Sequence, residues 1–411
     1  MKHSNYWFET SPARVSNGVG FVKNVDVLVI GGGLAGISVL YQLIRGGISN
    51  SYLLEEAMVG YHASGRSSGQ IMLRGRDLFT QISDKHGEAV AKEYLIFSAA
   101  NIRKFIWGLH RSKFDVDLVE SGGMRLATTK EELDLLRREC GFINKNENAT
   151  GINCMELTET QIRSILPSRG FIGGLYLACE ATANPYKIVN SVRDVIETGG
   201  ARVLTNSCVD NINRNDDGTF SVSIRHKGVI LAKKIVYCTG AYTSGLLPEM
   251  EQKIVPFRGQ MVATDILPDP VLQILPTMSI SCNNSNDYMR LHAGKLLFGG
   301  ERHNVRGNQE GIIYDGEVSQ TVFRRQKDFL QQHLPFIAPK FTHIWASVMS
   351  QTNDGLPLVG EVPGRKNEFI MAGFDGYGLS HTYMASLIMR DLVIKGTSSL
   401  PCVQLFNPGR S

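Results

Sequence analysis

The most constraining stretch of this 411-residue chain is a short one near its start. Val25–Ile30 is a β-branched apolar run, the pattern of a parallel strand buried on both faces. Gly31-Gly32-Gly33-Leu34-Ala35-Gly36 follows at once, and Leu34–Ile44 then reads as a helix that ends near Gly46-Gly47. Ser51–Leu54 is the next strand, and Glu55 stands at its end, nineteen positions after Gly36. Strand, glycine turn, helix, strand and acid in that order form a dinucleotide-binding unit. Gly31 permits the tight turn, Gly33 lets backbone approach a pyrophosphate, and Gly36 lets helix and strand pack closely. The helix N-terminus offers free N–H groups and partial positive charge to phosphates, and a carboxylate at Glu55 accepts from ribose hydroxyls and disfavours a 2′-phosphate.

This unit does not distinguish FAD from a nicotinamide dinucleotide. The segment after the second strand does. Ala63-Ser64-Gly65-Arg66-Ser67-Ser68-Gly69-Gln70 is rich in hydroxyls, small residues and one arginine. It suits a loop that tracks a diphosphate toward a flavin ring, with a plain surface loop as the alternative. No second GxGxxG and no CxxxxC pair accompanies it, which argues against a nicotinamide-reduced enzyme.

Further along, apolar spacing predicts a long helix over Lys85–His110, and others over Thr129–Glu139, Pro185–Thr198 and Ser380–Ile394. Strands are expected at Arg202–Leu204, Phe220–Ile224, Val229–Val236, Ile254–Thr264 and Lys295–Gly299. The fold class is therefore α/β, a Rossmann-type FAD-binding domain with a second mixed-sheet (α+β) substrate domain. Because strand–helix units occur at both ends, the domains are expected to interleave. The FAD-binding part takes 20–80, 180–250 and 340–411, and the substrate part takes 81–179 and 251–339.

Composition narrows the partners. The net charge of +4 is small for this length, and no dense basic run suggests nucleic acid. Seven scattered cysteines without a CxxC pair argue against a disulfide framework or a zinc site. Met1–Asn24 is too polar for a signal sequence, and Val25–Ile44 is too broken for a membrane span, so a cytoplasmic protein is expected. The partner is a small molecule; oligomeric state is not legible.

A resemblance to a known family then enters on particular segments. Val59-Gly60-Tyr61-His62-Ala63-Ser64-Gly65-Arg66-Ser67-Ser68-Gly69-Gln70-Ile71 resembles the D-amino-acid-oxidase-like FAD-dependent oxidoreductases, and among them the gamma-glutamylputrescine, glycine and sarcosine oxidase branch. Ser67-Ser68 departs from the usual Asn-Gly. Gly123–Ala127, Asn184-Pro185, Val236–Tyr242, Pro256–Gln260 and Leu297–Gly300 resemble further segments in family order. Thr352–Gly360 matches a T-P-D-G-x-P-x-x-G pattern with Asn353 in place of proline, and Gly373–Leu379 matches the last flavin motif.

The resemblance implies non-covalent FAD held by Gly31, Gly33, Leu34, Ala35, Gly36, Glu55, Glu56, Ser64, Arg66, Ser67, Gln70, Val209, Thr239, Gly240, Asp354, Gly376, Tyr377, Gly378, Leu379 and Ser380. Sarcosine oxidases of this family attach flavin through a cysteine just before the Thr-x-Asp segment, and Trp345–Gln351 contains none. Those enzymes also place a lysine over the flavin where Leu297 stands here, with Lys295 two positions earlier. The activity implied is oxidation of a C–N bond to an imine, by an oxidase or by a dehydrogenase that feeds a quinone or protein; a flavin-binding subunit without turnover is the other reading. Tyr288, Arg290, Gln351 and Tyr377 are the substrate-side candidates. Arg290 reads either as a bidentate carboxylate clamp or as an exposed strand charge. His381 reads as packed or capping, Trp345 as core, and His62 either as a flavin contact or as a loop residue.

Overall fold

The computed structural model describes residues 1–12 and 24–410. Residues 13–23, part of the leading stretch judged too polar for a signal sequence and of the 20–80 segment, lie outside them. Two eight-stranded sheets organise the described chain.

The first sheet grows from the dinucleotide unit. Asn24–Ile30 pairs in parallel with Ser51–Leu54 on one side and with Gly228–Tyr237 on the other. Val29 and Leu28 are fully buried on opposite faces of the strand, as a central parallel strand requires. Arg202–Leu204 extends one edge, and Glu368–Ala372 with Leu358–Glu361 extends the other. The helix Leu34–Arg45 covers one face and packs against Thr382–Lys395 and Pro185–Thr198. The last of these begins as its sequence dictates: Asn184 accepts from the amides of Tyr186 and Lys187, and Pro185 fills the first turn, where no N–H is needed.

The second sheet is mixed. Its longest pairing runs antiparallel between Ile254–Ile266 and Phe341–Thr352. Lys295–Gly299, Asp287–His292, Ser279–Cys282, Gly123–Ala127, Gly173–Leu177 and Met155–Thr158 follow in order across it.

Four expectations need correction. The helix expected over Lys85–His110 is two, Phe79–His86 and Glu88–Arg111, because Gly87 sits between them at φ +92°. Both pack into one apolar cluster with Leu40 and Ile388 of the first half, although 81–111 was assigned to the second. Phe341–Thr352 was assigned to the cofactor half, yet it pairs along its length in the second sheet. Its small and polar residues, Thr342, Ser347 and Ser350, hide the alternation that marks a strand. Finally, the last helix starts at Thr382, after a separate 3-10 turn over Gly378–Ser380. No helix among the described residues is long and apolar enough to cross a membrane.

Candidate functional site

The site begins where the first strand ends. Gly31 has φ +106°, and a Cβ there would lie 2.5 Å from the carbonyl oxygen of Cys238, just past the neighbouring strand. Gly33 is the N-cap of the following helix, and a Cβ there would crowd Ser64 Oγ at 2.9 Å. That hydroxyl accepts the Leu34 N–H at 2.8 Å. Gly36 faces the Gly31 carbonyl, the close helix–strand approach its position requires. Glu55 is buried, and its two carboxylate oxygens accept the amides of Gly32 at 2.6 Å and Ala57 at 2.8 Å. Burial raises its pKa while those two amides hold it down. A cleft of about 270 Å³ opens here between Gly31, Gly33, Glu55 and Glu56 on one side and Val209, Thr239 and Gly240 on the other.

The cleft runs on. Gly33, Ser64 and Gly240 also border a second space of about 150 Å³, lined further by Leu34, Ala35, Ser67, Gln70, Gly376, Gly378 and Leu379. Its floor is Val348, Met349 and Ser350 of the strand whose pairing the sequence concealed. Ser67, Gln70 and Gly376 in turn border a third cavity of about 440 Å³ between the second sheet and the 66–77 and 375–377 loops. The three spaces therefore adjoin along shared walls, in a run that is polar and helix-capped at one end and roofed by the second sheet at the other.

Tyr288, Gln351, Tyr377 and Arg66 stand in the wall of that largest cavity. Burial pushes the Tyr288 phenol up to about 12, so it stays protonated and can donate. Gln351 Nε2 donates to Glu310 at 3.2 Å. Arg66 is clamped by the carbonyls of Tyr61 at 2.7 Å and Ala346 at 3.0 Å, and it lies over the Tyr61 ring at 4.7 Å. Trp345 is 3% exposed, as a core residue would be, but it borders the cavity too and donates its indole N–H to Arg66 O.

The same wall carries groups that sequence reasoning passed over: Arg302, Arg76, Phe257 and Asp375. Arg302 follows Glu301, whose φ is +62°, and lies 4.2 Å over the Phe257 ring. Asp375 sits inside the Gly373–Leu379 motif, so its location was legible while its role was not.

Four expected site residues border none of these spaces, Gly36 among them, since it is spent on packing the helix against Gly31. Arg290 is 1% exposed and outside the cavity. It is neither the clamp nor the exposed charge weighed for it. Its guanidinium donates to Ala183 O at 2.8 Å and, more loosely, to Ser68 O and Gly69 O at 3.4 Å. The ring of Trp7, from the short N-terminal helical turn Tyr6–Glu9, covers it at 5.7 Å. Burial lowers its pKa to about 10, and its work is to pin the loop that borders the channel. Asp354 is paired with Arg410 at 2.6 Å and caps the Leu356 amide. Ser380 is buried and accepts the Met72 N–H at 3.1 Å.

His381 is packed. One ring nitrogen meets the Tyr377 carbonyl at 2.9 Å and the other the Tyr94 hydroxyl at 2.6 Å. Burial lowers its pKa to about 4, so it is neutral, and the two contacts require the proton on Nδ1. His62 contacts Glu56 at 2.9 Å and Asp315 at 3.2 Å beside the first cleft.

The glycine turn, the helix N-terminus and the buried acid have the geometry of a dinucleotide-binding unit. The family model described as "FAD dependent oxidoreductase" (DAO) matches residues 26–392. Among curated proteins, gamma-glutamylputrescine oxidoreductase of Escherichia coli (strain K12) is 25% identical, over 90% of this chain and 83% of that protein. Glycine oxidase of Geobacillus kaustophilus (strain HTA426) is also 25% identical, over 90% of this chain and 92% of that protein. A crystal structure of glycine oxidase from Geobacillus kaustophilus superposes with a TM-score of 0.79 at 22% identity, covering 95% of this chain and all of that one. L-proline dehydrogenase from P. horikoshii also gives 0.79, at 18% identity, over 94% of this chain and 98% of that one. At these identities the superpositions establish the fold.

Proposed function

As the chain belongs to the DAO family of FAD-dependent oxidoreductases, with FAD as its cofactor, we propose that it oxidises the C–N bond of an amine or amino acid to an imine. Bound FAD would supply the hydride acceptor, at N5 of its ring. The observation that carries this reading is the run of adjoining spaces from Gly33 and Glu55 to the 440 Å³ cavity at Tyr288, Gln351 and Tyr377. Amides at the start of Leu34–Arg45 are suited to the pyrophosphate, and Glu55 to the ribose. The glycines at 376 and 378 let backbone approach the ring. Tyr288 and Tyr377 orient the substrate and keep water from the reacting carbon. Related proteins are named for amine and amino-acid substrates, which supports the substrate class.

The same reading holds FAD without a covalent bond. No cysteine lies between Cys282 and Cys402. Both ring nitrogens of His62 face carboxylates, so neither is left for a flavin linkage. Acid precipitation is expected to leave a colourless pellet.

One observation favours an acceptor other than oxygen. Leu297 is fully buried beside Trp345 and Met261. Lys295 turns away, with Nζ 3.2 Å from Thr264 O and 3.6 Å from Asp265. Neither position brings an ammonium to the channel, where a positive charge would speed oxygen reduction. Reduced enzyme is expected to reoxidise slowly in air and fast with a quinone or dye, and Lys295→Met to change neither rate.

The function is tested by mixing holoenzyme anaerobically with amines and amino acids and following oxidised-flavin absorbance. Bleaching by a subset of amines supports the proposal. Failure of every amine to bleach the flavin overturns it and favours a flavin-binding subunit.

A further inference from the structure

We propose that the N-terminal segment is a positioning element of the flavin site: Asn5 and Trp7 hold the carbonyls of the 65–69 loop and so keep the Ser67 and Ser68 amides turned toward the bound cofactor. The inference rests on the FAD site alone and not on the amine-oxidising reading above.

The loop is held from outside at every carbonyl from 65 to 69. Gly65 O accepts from Asn5 Nδ2 at 2.7 Å, and Arg66 O from the Trp345 indole N–H at 2.8 Å. Ser67 O accepts from the Trp7 indole N–H at 2.8 Å. Ser68 O and Gly69 O each meet the Arg290 guanidinium at 3.4 Å, and Gly69 O also takes the Ala183 N–H at 2.8 Å. Five consecutive carbonyls are thus engaged by side chains from the N-terminus, from Phe341–Thr352 and from Asp287–His292.

The amides follow from the carbonyls. A peptide unit is planar and trans, so its N–H points opposite to its C=O. The Ser67 N–H therefore points away from Trp345, and the Ser68 N–H away from Trp7. Neither donates to a protein group among the described residues. Both serines are half-buried, although Gly65, Arg66 and Gly69 beside them are buried, and both border the 150 Å³ space as well as the 440 Å³ cavity. Adjacent unpaired N–H groups at that junction suit acceptor atoms of a bound ring and steady negative charge that develops there.

The N-terminal segment is built to hold this arrangement. It precedes the family match, which starts at residue 26. Asn5 and Trp7 are buried, and Asn5 serves both ends of the contact: Oδ1 accepts the Trp7 N–H at 3.2 Å, capping the turn Tyr6–Glu9, while Nδ2 reaches the loop. The segment is anchored on the second sheet, where Lys2 N–H donates to Thr342 O at 2.7 Å and Lys2 O accepts from Ile344 at 3.0 Å. Phe8 stacks on Tyr61 at 5.8 Å, with the Arg66 guanidinium 5.7 Å from its ring. The Trp7 ring also covers Arg290, so one side chain donates to Ser67 O and screens the donor to its neighbours. Removing either N-terminal donor strands a buried carbonyl, and the loop relaxes toward another donor, carrying its amides with it.

The test compares holoenzyme with Trp7→Phe, which keeps a ring over Arg290 but loses the N–H, and with Asn5→Asp, which keeps the cap but loses the donor. Phe329→Leu, in the helix Gln320–His333 and bordering none of the three spaces, is the control for lost stability. Each protein is stripped of FAD and titrated with it again, and the bound flavin is followed by visible absorption and by its midpoint potential in a dithionite titration. Trp7→Phe and Asn5→Asp are each expected to raise the FAD dissociation constant about 5- to 10-fold, the scale of one hydrogen bond. Both are also expected to shift the flavin spectrum and to lower the potential, because the reduced ring loses donors. Phe329→Leu is expected to lower the thermal midpoint and leave affinity, spectrum and potential in place. A lowered thermal midpoint in the two N-terminal variants with affinity, spectrum and potential as in wild type overturns the proposal, as do equal shifts in Phe329→Leu. If one N-terminal variant does not fold, the other decides. No readout uses an amine, so the failure of every amine to bleach the flavin leaves this result standing.

Discussion

At the residue scale, Gly33 and Arg290 show what a single sequence can and cannot reveal. Gly33 is legible because its requirement is local: it caps the helix that follows it, as the glycine turn around it announces. Gly33→Asp crowds the Ser64 hydroxyl and sets a carboxylate against the phosphates, so the purified variant is expected to contain no FAD; full flavin content would refute the phosphate site. Arg290 is illegible because what covers it is distant. It shares a strand face with Tyr288, which does border the cavity, but Trp7 lies over it and the 183 and 69 carbonyls capture it. Arg290→Met leaves these buried carbonyls short of a donor. It is expected to cost about 1–3 kcal/mol of stability in urea unfolding. The apparent Michaelis constants of carboxylate and non-carboxylate amines should change equally, whereas a rise for carboxylates alone would restore the clamp.

At the element scale, the dinucleotide unit announced itself because a buried parallel strand and a glycine turn have strong local patterns. The strand Phe341–Thr352 did not. It is buried on both faces yet carries Ser347 and Ser350, and only its long pairing with Ile254–Ile266 shows what it is. The start of the last helix was misplaced for a related reason: tertiary contacts, not caps, set it. Asn101 of Glu88–Arg111 is fully buried, donates to Leu379 O at 3.1 Å and accepts the Met384 N–H at 3.0 Å. One side chain thus ties the 378–380 turn to the helix after it. Asn101→Ala is expected to destabilise the protein by about 1–3 kcal/mol and to weaken FAD binding in the same variant. Unaltered unfolding and unaltered flavin affinity would show that the turn holds itself.

At the scale of the whole molecule, the channel exists because two sheets face each other across it, and its halves are tied by charge as well as packing. His62, in the loop after Ser51–Leu54, meets Asp315 from the segment after Lys295–Gly299. Burial opposes the charge on His62, but Asp315 and Glu56 outweigh it and hold the pKa at about 9, above the ordinary 6.5. A raised pKa stabilises the fold fully below 6.5 and loses its contribution as pH climbs through about 9. The gap in thermal midpoint between wild type and His62→Gln is therefore expected to narrow from pH 6.5 to 9.5 or so; a gap independent of pH would remove the charge from the account. The channel itself could not be read from sequence, since its walls come from segments more than 300 positions apart, Gly31 at one end and Gln351 at the other. The family segments located both ends, and only the fold joined them. The most direct test of that joining is anaerobic stopped-flow reduction of the bound flavin by its best amine, with hydrogen and then deuterium on the carbon beside nitrogen. Saturable bleaching that slows with deuterium is the predicted result; bleaching insensitive to deuterium, or none with any amine, would contradict hydride transfer from that carbon in this channel.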